Sequence, residues 1–175
     1  MTTPEELCGL LPRLAALPPM GEPVDQLAHA LQTAGQAIGA GADDDLVLAA
    51  ALHDLARLPE VAARHPCLPH EEAAARLCAP LLGERVAWLV GAHVLAKRVL
   101  VATEPAHAAV LSATSTRSLR AQGGAAAAAE LRRFGEHPWS EDALRLRRWD
   151  DAAKVPGAAA PEPGDLLDRM RRRWR

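Results

Sequence analysis

The residues of this 175-residue chain that can do chemistry are histidines and carboxylates set among apolar neighbours. His53-Asp54 closes the run Leu46-Val47-Leu48-Ala49-Ala50-Ala51-Leu52 and is followed by Leu55-Ala56-Arg57. An imidazole and a carboxylate buried there without partners would each cost several kcal/mol, and a metal ion satisfies both. Neighbouring helix positions diverge by about 100°, so the pair cannot grip one ion from the same direction. The two carboxylate oxygens instead allow Asp54 to bridge two ions while His53 binds one of them. The plain alternative is a core histidine hydrogen-bonded to a nearby carboxylate. Against it stand His29, His70, His93 and Asp150, each on a separate segment of a chain with only seven histidines. Imidazole and carboxylate donors without thiolate suit Fe, Mn, Zn or Ni and are poor for Cu(I). Four histidines and two carboxylates suffice for two ions sharing Asp54, with open positions for water, O2 or substrate.

The segments that carry these residues read as successive helices, an all-α chain without alternating strand patterns. Leu7, Leu10, Leu11 and Leu14 predict a helix over 5–16, which Leu17-Pro18-Pro19-Met20-Gly21-Glu22-Pro23 ends in a loop placed to act as a lid. A second helix over 24–38 carries His29 on or beside its apolar side and stops at Gly39-Ala40-Gly41. Asp43-Asp44-Asp45 gives the third an acidic first turn, and that helix carries His53-Asp54. Residues 59–69 read as irregular and deliver His70 to the head of a helix that opens His70-Glu71-Glu72. A strongly apolar helix over 85–101 holds His93, with Lys97 one turn on and on the same face, where an anionic substrate would want a cation. After a helix over 104–111, Ser115 and Ser118 share a face at a helix start, an arrangement that suits phosphate oxygens or plain capping. Helices over 125–133 and 143–154 follow, the second containing Asp150; 158–175 reads as a Pro/Ala/Gly-rich linker and a basic, solvated C-terminal helix or tail.

Composition narrows the function classes. At 49% hydrophobic content the chain has enough apolar material for one globular domain and a pocket within it. A net charge of -2 gives no nucleic-acid footprint. No run of about eighteen apolar residues marks a membrane span, and Met1-Thr2-Thr3-Pro4-Glu5-Glu6 lacks the pattern of a signal peptide, so a cytoplasmic protein is expected. Cys8, Cys67 and Cys78 form neither a disulfide framework nor a thiolate zinc pattern. Lys97 and Lys154 are the only lysines; the remaining basic residues are arginines, a skew that reads as the bias of the source genome.

His29, His53-Asp54 and Asp150 form the H…HD…D pattern of the HD-domain superfamily, which the chain resembles from about 22 to 157. His70 and His93 match the subset with a dinuclear centre. The stretches around His29, His93-Val94-Leu95-Ala96-Lys97-Arg98, Ser112 to Leu119, Gln122-Gly123-Gly124 and Arg148-Trp149-Asp150-Asp151-Ala152-Ala153-Lys154 resemble the mixed-valent di-iron oxygenases that cleave organophosphonates, relatives of the inositol oxygenases. The resemblance implies a single-domain HD helical bundle over 1–157, with a dinuclear site in its core and the N-terminal helix packed on it. It implies that His29, His53, Asp54 and Asp150 bind one iron, that His70 and His93 bind the other, and that Asp54 bridges. One iron of the Fe(II)/Fe(III) pair then binds the substrate hydroxyl, the other takes O2 as co-substrate, and hydrogen leaves the carbon that bears phosphorus. Lys97, Ser115, Ser118 and Arg147 would hold the phosphonate, with Glu22 on the lid.

Two departures bear on the substrate. Characterised members carry a tyrosine shortly before the lid glutamate, whereas this chain has none and places Pro18-Pro19-Met20 there. They often continue the HD dyad with Gly-His, where Ala56-Arg57 stands here. The expected substrate is therefore a small anionic molecule that differs from aminoethylphosphonate-like compounds at the end facing Glu22 and Arg57. Two rival functions are a metal-dependent HD phosphohydrolase acting on a small phosphate ester or nucleotide, and a non-catalytic sensor. The six-ligand set with its flanking stretches favours the oxygenase. Oligomeric state is not encoded in any of these signals.

Overall fold

Apolar on every side, the segment ahead of the HD dyad has to be enclosed by other elements. It forms α3 (Asp44–Leu52), in which Leu46 through Leu52 are all buried. A computed structural model describes residues 3–18 and 20–174; Met1, Thr2, Pro19 and Arg175 lie outside the described residues, and with them part of the expectations placed on the first residues, on Pro18-Pro19-Met20 and on the last residue. Among the described residues the chain is all-helical and forms one compact unit.

The enclosure is built by α2 (Gln26–Gly39), α5 (His70–Leu82), α6 (Glu84–Thr103) and α10 (Ser140–Ala152). Helix α6 packs on α5, α10 and α3, while α2 packs on α3 and α10. Its mean hydropathy of 1.4 over an 18-residue window makes α6 long and apolar enough to cross a membrane by length and composition. Here most of that window is buried against the neighbouring helices. The N-termini are fixed by Asp25, whose side chain accepts from Ala28 N at 2.8 Å, and by Asp43, which accepts from Leu46 N at 3.0 Å. Gly83, at φ 94°, makes the sharp corner between α5 and α6 that an L side chain would strain.

Shorter pieces fill the margins: α1 (Pro4–Leu10) continued by a 3-10 segment Leu11–Ala16, α4 (Pro59–Ala62), α7 (Pro105–Val110), α8 (Ala113–Ala121), α9 (Ala128–Gly135) and α11 (Pro163–Arg173). The expected single helix over 5–16 thus tightens midway, where Pro12 removes an N–H. The stretch expected to be irregular contains α4.

The largest difference from expectation is α11, read from the sequence as a solvated flank. Leu166 and Met170, four residues apart, are fully buried, and the helix packs on α1 and α3. Its arginines meet the acidic start of α3: Arg169 pairs with Asp44, Arg172 Nε lies 2.9 Å from Asp44 Oδ2, and Arg173 Nε lies 2.5 Å from Asp45 Oδ1. One apolar stripe on an otherwise charged helix is enough to seat it.

Candidate metal centre

Helix α3 ends at Leu52, so the HD dyad sits in the turn that leaves the helix and not within it. Asp54, at φ -102° and ψ 10°, occupies the sparsely populated bridge region before a 3-10 turn, Leu55–Arg57. The break points its carboxylate two ways. Oδ2 lies 3.7 Å from His53 Nε2, while Oδ1 lies 3.1 Å from His70 Nε2 and 3.8 Å from His93 Nε2.

On the other side, Asp150 from α10 has Oδ1 at 3.1 Å from His29 Nε2 and Oδ2 at 3.8 Å from His53 Nε2. Two adjacent groups result, His29–His53–Asp150 and Asp54–His70–His93, and within each the ligand atoms lie within 4.8 Å of one another. The imidazoles are 5.0–5.3 Å apart in sequence His29, His53, His93, His70.

The outer nitrogens decide the tautomers. Nδ1 lies 2.9 Å from Ala153 O in His29, 2.8 Å from Ala50 O in His53 and 2.7 Å from Val90 O in His93. A carbonyl only accepts, so each Nδ1 carries the proton and each Nε2 turns a lone pair inward. His70 makes the equivalent contact with a carboxylate, Glu71 Oε2 at 2.9 Å.

Charge is arranged for cations. Burial opposes ionisation of Asp54 and Asp150, yet Arg57 beside the first, Arg147 beside the second and the imidazoles hold both carboxyls well below their usual range. Burial lowers His53 and, with the neighbouring imidazoles, pushes His93 down to about 3. Burial also opposes charge on His70, but the neighbouring carboxylates of Asp54 and Glu71 raise it to about 8; burial likewise opposes charge on His29, which Asp150 nevertheless raises. His53 Nε2, Asp54 Oδ1 and His70 Nε2 are buried without any hydrogen-bond partner. Each such orphan costs about 1–3 kcal/mol, a cost that a bound cation removes. Nitrogen and oxygen donors with ionised carboxylates and inward lone pairs fit first-row divalent or trivalent metals.

Five of the six ligand candidates, all but His53, line a cavity of about 100 Å³ together with Glu22, Arg57, Lys97, Ser115, Ser118 and Arg147. Lys97 is buried, and its Nζ donates to Ser118 Oγ at 2.9 Å. Arg147 is spoken for on two sides: Nη1 donates to Asp150 Oδ2 at 2.5 Å, Nε donates to Asp151 Oδ2 at 2.9 Å, and Nη2 pairs with Asp151. Arg57, expected to present its charge to substrate, lines the cavity with its Nε 2.7 Å from Asp54 Oδ2, the candidate ligand carboxylate three residues before it. Asp151 has a side chain only 7% exposed and also contacts His107 Nε2 at 3.0 Å.

Sequence reasoning missed two residues here. His107 braces Asp151 from 44 residues away, and nothing local on α7 signals it. Lys154 lines the cavity, donating to Ser115 Oγ at 2.8 Å and Glu22 Oε1 at 3.0 Å. A signal for it existed: the two lysines of this arginine-rich chain both face the cavity. Glu22 reaches the site because Gly21, at φ 83°, turns the loop and its carbonyl accepts from Thr114 Oγ1 at 3.1 Å.

No family model matches the chain. It is 37% identical over 147 residues to the hydroxymethylphosphonate dioxygenase of Gimesia maris, covering 81% of this chain and 73% of that protein. It is 31% identical over 152 residues to the glycine-betaine-forming (1-hydroxy-2-(trimethylamino)ethyl)phosphonate dioxygenase of Leisingera caerulea, covering 82% of this chain and 76% of that protein. With identity above three in ten across most of both relatives, and a buried histidine–carboxylate cluster at its centre, the chain belongs to the phosphonate dioxygenases.

Proposed function

We propose that this protein uses O2 to cleave the carbon–phosphorus bond of a small 1-hydroxyphosphonate at a two-iron centre of the HD-domain type. The observation that carries the reading is the pair of adjacent ligand groups, His29–His53–Asp150 and Asp54–His70–His93, with Asp54 facing both. In this reading His29, His53, Asp54 and Asp150 hold one iron, His70 and His93 the other, and Asp54 bridges. The iron pair supplies the redox chemistry that a side chain cannot. One O2 takes the hydroxyl-bearing carbon to a carboxylate and releases phosphorus as inorganic phosphate, a balanced four-electron oxidation that needs no further reductant.

The chain's own residues bind and orient. Lys97 is the cavity cation with no carboxylate partner among the described residues, which leaves its charge for the phosphonate. Ser115 and Ser118 offer hydroxyls beside it, and Arg147, fixed by Asp150 and Asp151, offers the N–H groups those carboxylates leave free. Burial pushes Lys97 down to about 8, so it remains charged at neutral pH. The reading keeps the cytoplasmic location, and the absence of nucleic-acid and membrane partners, expected from the sequence.

Metal analysis and electron paramagnetic resonance of protein purified without oxygen and partially reduced test the proposal. Two irons per chain and a mixed-valent signal that changes on adding hydroxymethylphosphonate are expected. One redox-inert ion with phosphatase activity on phosphate esters would instead establish the hydrolase.

A further inference from the structure

Each carboxylate that lines the cavity already has its own cation: Asp54 faces Arg57, Asp150 faces Arg147, and Glu22 faces Lys154. The last pair stands apart from the ligand groups. Lys154 Nζ lies 3.0 Å from Glu22 Oε1, which also accepts from Ser112 Oγ at 2.6 Å, and the two side chains are 13% and 11% exposed. Lys154 is held further by Ser115 Oγ at 2.8 Å. The loop carboxylate is thus neutralised from within the protein, across 132 residues of sequence.

A substrate ammonium entering such a cavity needs either an unpaired carboxylate or an aromatic face. Neither lines it: the rings present are imidazoles of the ligand histidines, and the chain contains no tyrosine. With Lys97 added, the lining cations outnumber the lining carboxylates, four to three, before any metal is bound. We propose that the Glu22–Lys154 pair sets the charge specificity of this enzyme, and that its substrate is a hydroxyphosphonate whose other end carries no positive group. Lys154 stands where a substrate cation would have to stand. This rests on the proposed C–P cleavage at the same site, and between the two relatives it aligns this chain with the one named for hydroxymethylphosphonate.

The test compares near-isosteres that differ in charge. Turnover is measured with hydroxymethylphosphonate, (1-hydroxypropyl)phosphonate and (1-hydroxy-2-aminoethyl)phosphonate, and binding by calorimetry with propylphosphonate and (2-aminoethyl)phosphonate. The expected result is at least about tenfold higher kcat/KM and tighter binding for the neutral member of each pair, since an uncompensated charge contact of this kind exceeds about 1.4 kcal/mol. Lys154→Met bares Glu22 and should move both ratios at least about tenfold towards the ammonium compound; Glu22→Gln should move them the other way. Equal or better use of the ammonium compound by the unmodified enzyme overturns the inference and leaves the C–P cleavage standing. So does a Lys154→Met protein that keeps its helical circular dichroism but loses binding of both analogues, which would assign Lys154 to the phosphonate. Absence of turnover with all three hydroxyphosphonates overturns the proposed function and this inference with it.

Discussion

At the scale of single residues, the centre is a set of buried polar groups that a bound cation would complete. His53 Nε2, Asp54 Oδ1 and His70 Nε2 have no partner, while the far nitrogen of every ligand histidine is tied to a carbonyl or carboxylate. His53→Ala should therefore lower bound metal from two ions to one or none per chain by elemental analysis, and reduce turnover by more than about 100-fold, beyond the loss usual for an outer-shell partner. Lys97 gives a pH prediction with a definite sign. Burial lowers its pKa to about 8, so its positive charge is complete below that value and disappears as pH rises through it. For phosphonate turnover, kcat/KM should fall by up to about tenfold per pH unit above 8, carried by KM. Lys97→Met should lower kcat/KM at pH 7 and flatten that limb; an unchanged limb would remove Lys97 from the phosphonate site. The candidate ligand cluster was legible in the sequence because His53-Asp54 interrupts an apolar run where it must be satisfied. Lys154 and His107 were not, because their partners Glu22 and Asp151 lie 132 and 44 residues away and only the fold brings them together.

At the scale of elements, the site depends on where helices stop. The end of α3 one residue before His53 lets Asp54 leave helical geometry and face both ligand groups, and the sequence offered no glycine or proline to mark that stop. The expected helix through the dyad followed the apolar run one turn too far. The loop ahead of α2 obeys clearer signals: Gly21 at positive φ turns Glu22 towards Lys154. Gly21→Ala strains that turn and places its Cβ 3.0 Å from Thr114 Oγ1. Its expected consequence is a change in preference between the neutral and ammonium hydroxyphosphonates with metal content unaltered. Helix α11 was misjudged because charge dominates its composition, and the two residues that seat it, Leu166 and Met170, are few. Met170→Ala should destabilise the protein by about 2–5 kcal/mol in chemical denaturation, the usual range for emptying a core site. Bound metal in the folded fraction should not change, since α11 supplies no ligand. A neutral Met170→Ala would return the segment to the solvated flank its composition suggests.

At the scale of the molecule, the fold gathers two adjacent groups of candidate ligands from five segments, α2, the turn after α3, the head of α5, α6 and α10, with a small cavity beside them. That all-helical class was legible from periodicity and the acidic first turns, since both are local. The closure of the cavity by Glu22, Lys97 and Lys154 was not, since it is a product of packing. Carboxyls held well below their usual range, beside the His53 and His93 imidazoles that burial pushes down, suit metal ions inside an apolar shell, and a net positive lining suits a phosphonate dianion. In the proposed reaction O2, and not water, breaks the carbon–phosphorus bond. Oxygen uptake and phosphate release measured together on hydroxymethylphosphonate, with iron-loaded protein in air and under strict anaerobiosis, test it most directly. One phosphate released per O2 consumed and no release without oxygen are expected; phosphate released anaerobically at an undiminished rate would make the reaction a hydrolysis.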